Sequence, residues 1–355
     1  MKKHNFSAGP AILPQEVIQG AAEAVLELDD IGLSLIEISH RSNEFKAIME
    51  EACDLALQIL GLEGKGYKAM YLQGGASMQF LMTAYNMLES KAGYVNSGTW
   101  STKAIKEAKF LGDVIELASS KDKNFNYIPK GYDIPNDLDY LHITSNNTIF
   151  GTQYKNLPET SVPLVADMSS DIFSRPLDYS KFDLFYAGAQ KNMGPSGVTL
   201  VIIKETAFNK VTRSIPSMLN YEIQANAGSM FNTPPVFPVY TVLLNLRWIL
   251  KNGGLSGMGI QNEKKAAMIY DEIDRNPLFE GFANLDDRSA MNATFNLVDD
   301  SSAAIFDTIW NNAKISGLKG HRSVGGYRAS IYNALSMESI QTLVDCMKEF
   351  ERTFN

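Results

Sequence analysis

Apolar positions along this chain return at two periods. Over Gln15–Leu28 and Asn43–Leu60 they recur every three to four residues, the spacing of a helix with one buried face. Pro14 suits the entry to the first helix, and Gly61 stops the second. Compact apolar runs follow at Tyr67–Gln73, Gly93–Asn96, Val114–Ala118, Tyr140–Thr144, Leu164–Ala166, Leu184–Ala187 and Thr199–Ile203. These read as strands, with helices predicted between them near Ser77–Leu88 and Trp100–Phe110. Strands interleaved with helices predict an α/β fold with a mainly parallel sheet covered on both faces.

The pattern changes after Thr233-Pro-Pro235. A helix over Tyr240–Lys251 is expected to break at Gly253-Gly254, and another to run over Gln261–Arg275. A strand at Ala293–Leu297, a helix at Ala303–Ala313, a strand at Arg328–Asn333 and a helix at Met337–Arg352 complete a smaller α+β unit. The chain thus divides into a large domain, 15–255, and a small C-terminal domain, 256–355, joined by residues 1–14.

Composition narrows the function. With 45% hydrophobic residues the 355-residue chain can bury a large core, and a net charge of −8 argues against general binding to nucleic acid. The start, MKKHNFSAGP, lacks the apolar run of a secretory signal, and no apolar stretch approaches the ~20 residues of a membrane helix. Cys53 and Cys346 fall in helical patterns and read as buried thiols of a reducing compartment, so a cytoplasmic protein is expected. The four histidines are scattered and no metal-ligand spacing occurs, so no metal is expected. Gly61-Leu-Glu-Gly64-Lys65-Gly66 has the wrong spacing for a P-loop, and neither GxSxG nor a strand-following GxGxxG is present.

The informative stretch is Asp183-Leu-Phe-Tyr-Ala-Gly188-Ala-Gln190-Lys191-Asn-Met-Gly194-Pro195. A strand runs into a glycine-rich turn that carries a lone lysine. Small neighbours let a ligand approach closely. A desolvated lysine has a lowered pKa, as a Schiff-base nucleophile requires. The local pattern alone favours a solvated turn lysine. A second strand, Val162–Asp167, ends in a carboxylate, and an Asp and a Lys at nearby strand ends form a candidate pair. Pyridoxal chemistry needs such an acid opposite the ring nitrogen.

These segments, with Asn5-Phe-Ser-Ala-Gly-Pro10, Ser39-His-Arg41, Gln73-Gly-Gly-Ala-Ser77, Asn232-Thr-Pro-Pro235 and Gly320-His-Arg-Ser-Val-Gly-Gly-Tyr-Arg328, closely resemble the phosphoserine aminotransferase family of the class V aminotransferases, from end to end. The resemblance implies the type I pyridoxal-phosphate transferase fold with its seven-stranded sheet, pyridoxal 5′-phosphate as cofactor and a homodimer with shared active sites. It implies that Lys191 anchors the cofactor and shuttles a proton, that Asp167 pairs with the ring nitrogen and that Trp100 stacks on the ring. Ala76, Ser77 and Gln190 would serve the cofactor phosphate, Thr148 the phenolic oxygen, and Asn232 and Thr233 the phosphate of the partner's cofactor. Arg328 would take the substrate α-carboxylate, a bidentate match. His40, Arg41, His321 and Arg322 would converge on the distal anion. The implied reaction transfers an amino group between L-glutamate and 3-phosphohydroxypyruvate in serine biosynthesis, with 3-hydroxy-2-oxo-4-phosphobutanoate as a further substrate on the route to pyridoxine. Alternatives are another class V aminotransferase, such as an alanine–glyoxylate type, or a non-catalytic pyridoxal-phosphate binder.

Overall fold

The computed structural model describes residues 3–354. In chain order its elements are β1 (His4–Asn5), α1 (Gln15–Leu26), α2 (Asn43–Ile59), β2 (Tyr67–Leu72), α3 (Gly75–Met87), β3 (Lys91–Asn96), α4 (Thr99–Ala108), β4 (Asp113–Ser119), β5 (Leu141–Thr144), β6 (Asn146–Asn147), β7 (Thr152–Gln153), β8 (Leu164–Asp167), β9 (Leu184–Gly188) and β10 (Thr199–Lys204). Then come α5 (Tyr221–Asn226), α6 (Val236–Lys251), α7 (Gly254–Arg275), β11 (Phe279–Gly281), β12 (Asn292–Leu297), α8 (Ala303–Asn312), β13 (Ile315–Ser316), β14 (Tyr327–Ser330) and α9 (Met337–Arg352).

Seven strands form the central sheet in the order β2-β10-β9-β8-β5-β3-β4. The inner runs β5, β8 and β9 are buried on both faces, which is why they lack the alternation of a half-exposed strand. Only β10 runs antiparallel to its neighbours. The reason is the connection: the turn from β9 to β10 is too short to hold a crossover helix, so the chain must reverse as a hairpin. Lys191 sits on that hairpin. The parallel strands β2, β3, β5, β8 and β9 all point their carboxyl ends to the same edge, where open α/β sheets bind ligands.

One apolar cluster joins the sheet to α2 and α6, and another joins its opposite face to α3 and α4. A third, separate cluster lies between the β11-β12-β14 sheet and α7, α8 and α9. Phe6, fully buried, belongs to this third cluster, because β1 pairs in parallel with β13.

Several details depart from the expectations. The helix expected from Gln261 begins at Gly254, directly after α6. Gly254-Leu-Ser-Gly-Met-Gly259 has poor helix propensity, but a Cβ at Gly257 would lie 2.1 Å from the Asn252 carbonyl oxygen, so close packing demands glycine there. Helix α5, strand β11 and the β1–β13 pair carry too few residues to show a period. Cys346 is buried, whereas Cys53 is only half-buried. Among the described residues no helix is long and apolar enough to cross a membrane.

Candidate active site

Five strand ends deliver the side chains of the site. Strand β9 leads to Lys191, β8 ends on Asp167, β5 leads through Ser145 to Thr148, β3 leads to Trp100 in the first turn of α4, and β2 leads to Gly74-Gly75. The Lys191 Nζ donates to Thr148 Oγ1 at 2.7 Å and lies 5.6 Å from the centre of the Trp100 indole. Lys191 as a whole is half-buried, but its ammonium is stripped of water. Burial draws its pKa down to about 8, against the opposing pull of Asp167, and the charge of Arg328 lowers it further.

Asp167 is 4% exposed, and its Oδ1 accepts from the Ser169 backbone N–H at 2.9 Å. Burial raises its carboxyl above the ordinary range, while the charge of Lys191 lowers it. A second buried carboxylate, Asp171, is held by Ser145 Oγ and by Gln153 Nε2.

Arg328 reaches the site from β14. Its Nη1 donates to the Thr148 carbonyl at 3.4 Å, and its Nε is buried without a partner. His321 and Arg322 lie in the loop before β14. Burial, then the charges of Arg328, Arg322 and Lys103, hold His321 below its ordinary pKa. Among the described residues no carboxylate pairs with Arg328, Arg322, His321 or Lys103. Arg328, Arg322 and Lys103 thus gather their charge around His321 and disfavour its protonated form, an arrangement that favours an anionic ligand.

At the opposite end of the sheet edge, Gly74 adopts φ 95° and caps α3 without a side-chain hydrogen bond. A Cβ there would lie 2.6 Å from Met78 Cβ. The turn leaves the N–H groups of Gly75, Ala76 and Ser77 without intrahelical partners, at the positive end of the helix dipole. Gln190, on the lysine turn, is half-buried and accepts from the Ala11 N–H at its carbonyl.

The structure therefore brings together Lys191, Thr148, Trp100, Asp167 and Arg328, with His321 and Arg322 beside them. Asn232 Nδ2 donates to Gln73 Oε1 at 2.9 Å, and Gln73 Nε2 reaches the Thr233 carbonyl at 3.4 Å, so this pair borders the β2–α3 turn of its own chain. His40, half-buried, and Arg41, exposed, stand apart on the loop between α1 and α2. Among the described residues no hydrogen bond or ion pair joins them to Lys191 or Arg328.

Three contributors escaped the sequence reading. Ser169 orients Asp167 through a backbone amide, which carries no residue signature. Lys103, whose Nζ lies 4.7 Å from the Trp100 ring centre, looks like an ordinary surface residue of a helix. Asn192 follows Lys191 directly, and its Oδ1 accepts from the Asn333 N–H.

The donor set fits a flat, anionic cofactor. The Trp100 Nε1 is buried and unpartnered beside the lysine, Asp167 faces the same space, and free amides stand at the α3 N-terminus. A desolvated amine with a buried carboxylate behind it and an aromatic ring alongside is the equipment of a Schiff-base transferase. Residues 3–343 match the family model described as aminotransferase class-V, and the chain belongs to that family. It is 61% identical to the phosphoserine aminotransferase of Flavobacterium johnsoniae over 353 residues, covering 99% of each chain. It also superposes on the solved phosphoserine aminotransferase of Bacillus circulans subsp. alkalophilus with a TM-score of 0.96 at 45% identity, covering 100% of this chain and 99% of that one. A pyridoxal-phosphate-bound phosphoserine aminotransferase from Trichomonas vaginalis matches with a TM-score of 0.92 at 34% identity, covering 98% and 100%. Within class V, the chain is a member of the phosphoserine aminotransferase family.

Proposed function

We propose that this chain transfers an amino group between L-glutamate and 3-phosphohydroxypyruvate, giving 2-oxoglutarate and O-phospho-L-serine. The observation that carries the reading is a desolvated amine, Lys191, set beside a group of cations that have no carboxylate of their own. The names of the relatives support it.

Pyridoxal 5′-phosphate, when bound, supplies a carbonyl for the amine and an electron sink for charge developing at the substrate α-carbon. Lys191 provides the amine. With a pKa of about 8, roughly a tenth of it is neutral at pH 7. With the cofactor bound, the Lys191 Nζ would be the base that takes the proton from the substrate α-carbon and delivers it to the cofactor's C4′ carbon, so that the amino group stays with the cofactor. Thr148 Oγ1 accepts from that amine and directs its lone pair. Asp167 would hold a proton on the ring nitrogen, and Trp100 would pack against the ring face. The amides of Gly75, Ala76 and Ser77, with Gln190 nearby, would hold the phosphate.

Arg328 receives the α-carboxylate as a bidentate pair. His321 and Arg322 receive the distal anion, and one cationic pocket serves either a phosphate or a side-chain carboxylate, as an enzyme that binds two acids in turn requires. We place His40 and Arg41, and the phosphate contacts of Asn232 and Thr233, in a site completed by a second copy of the chain. The exposed Met78, Met218 and Phe231 beside the Gly74 turn support that homodimer. We also read the chain as two domains divided near residue 255, and as a cytoplasmic enzyme.

The test is half-reaction spectroscopy on the purified, cofactor-loaded protein. Phosphoserine and glutamate should each convert the visible absorbance band, and alanine should not. Conversion by alanine alone would favour the alanine–glyoxylate type, and no conversion by any of the three would leave a non-catalytic binder.

A further inference from the structure

Lys265 lies on α7 and is 1% exposed. Its Nζ donates to three successive backbone carbonyls just beyond β14: Ile331 at 3.0 Å, Tyr332 at 2.7 Å and Asn333 at 3.4 Å. Among the described residues no carboxylate pairs with it. An ammonium offers three N–H donors and no acceptor, so three carbonyls satisfy it in full. Burying a cation without a counter-ion is costly, and a helix surface gives a lysine many cheaper places to be. The position calls for a role beyond filling the core.

The three carbonyls belong to a segment tied to the active site at both ends. Strand β14, immediately before it, carries Arg328. At its far end the Asn333 N–H donates to Asn192 Oδ1 at 3.0 Å, and Asn192 is the neighbour of Lys191. Between them, the Tyr332 hydroxyl donates to the Ala8 carbonyl at 2.9 Å. Helix α7 holds the segment a second time one turn earlier, where Asn262 Nδ2 donates to Asn333 Oδ1 at 2.8 Å and to the Ser174 carbonyl at 2.9 Å. Asn262 and Lys265 share a helix face, so one rigid element fixes the whole segment.

We propose that Lys265 is a positioning residue: by gathering the carbonyls of Ile331, Tyr332 and Asn333 it sets the distance between Arg328 and the Lys191 hairpin. This rests on the reading that Arg328 takes the substrate α-carboxylate. Burial pulls the lysine down to about 7, and the three carbonyls favour the protonated form, which alone can donate to all of them. Because Lys265 touches neither substrate nor cofactor, its loss should loosen carboxylate binding and leave the limiting rate of the chemistry nearly intact.

The test compares wild-type holoenzyme with Lys265→Met and Lys265→Gln. In Lys265→Met the Asn333 amide should exchange with deuterium about tenfold faster, while amides of β3 keep their wild-type rates. The glutamate Kd measured in the half-reaction should rise about tenfold, with the limiting rate changed by less than about threefold. Glutamine retains two donors, so Lys265→Gln should fall between the two. If Lys265→Met does not fold, Lys265→Gln decides alone. A folded variant with a lower melting temperature but wild-type Kd and wild-type exchange at Asn333 would overturn the proposal. If the wild type itself fails to convert glutamate, the transamination reading falls, and exchange at Asn333 still decides the role of Lys265.

Discussion

Lys191 and Lys265 are both stripped of water, and burial lowers both, to about 8 and about 7. Lys265 is the more buried and the more perturbed of the two, yet it is not equipped to react. Its three donors are spent on three carbonyls, and helix and strand enclose it. Lys191 makes one side-chain hydrogen bond, to a hydroxyl, and stays half-open on a hairpin. When Lys191 is neutral, one N–H can point at Thr148 while its lone pair remains free. The comparison separates two things a lowered pKa can mean. Desolvation alone marks a cation the fold uses as a strut; desolvation with a spare valence, an aromatic ring and a nearby acid marks a nucleophile.

The sharpest break between the two lysines is chemical. Lys191→Ala should lose the borohydride-reducible adduct altogether and lower turnover by at least about 10³-fold, while melting close to the wild type. Lys265→Met should keep the adduct. An adduct retained in Lys191→Ala would move the nucleophile elsewhere, and mass spectrometry of the reduced protein would locate it. Next in size is Asp167→Asn, which removes the acid but keeps the shape. Single-turnover rates should fall about 10²-fold, equivalent to about 2.7 kcal/mol of barrier. An unchanged rate would detach Asp167 from the chemistry.

The cations come third. Arg328→Ala should weaken phosphoserine and glutamate alike, by about 10- to 30-fold in half-reaction Kd, since both share the α-carboxylate. Arg322→Ala should weaken phosphoserine about tenfold and leave the affinity for alanine, measured as a competing ligand, untouched. Equal effects on both would remove Arg322 from the distal-anion pocket.

Much of this arrangement was legible from residue order. The inner strand runs are compact because both faces of the sheet are covered there, and Asp167 and Lys191 could be paired because they end neighbouring strands β8 and β9. The antiparallel setting of β10 is implied by the shortness of the lysine turn, although the apolar run itself has no direction. Other contacts are set by tertiary packing alone. Thr148 meets Lys191 only because β5 lies beside β8, a neighbour relation set by the whole sheet. Lys265 sits in Asn-Glu-Lys-Lys-Ala-Ala, which has the composition of a solvated helix face, and only the packing of α7 on the 331–333 segment turns it inward. The first turns of α7 do not show in the periodicity, because Gly254, Gly257 and Gly259 lower helix propensity there while Gly257 is required by close contact with Asn252.

The smallest effect tests how Lys191 is tuned. The neutral amine is the reactive form, so the rate of cofactor loading onto the apo protein should climb about tenfold per pH unit below about 8 and level off above it. Linkage gives the matching sign for stability. Between about 8 and the ordinary lysine value of about 10.4, the unfolded chain holds a proton that the folded chain has released. Stability of the apo protein should therefore rise with pH across that window. Thr148→Val removes the acceptor at 2.7 Å. An ammonium loses more than an amine when a hydrogen-bond acceptor is taken away, so the loading midpoint should move down, by less than about one unit. Lys265→Met should move that midpoint less than Thr148→Val does, and upward, since a loosened 331–333 segment weakens the Arg328 charge that helps to lower Lys191. A midpoint that rises in Thr148→Val would mean the hydroxyl serves the neutral amine instead. A midpoint that moves equally in both variants would mean the two lysines titrate as one system, and the distinction between strut and nucleophile would have to be redrawn.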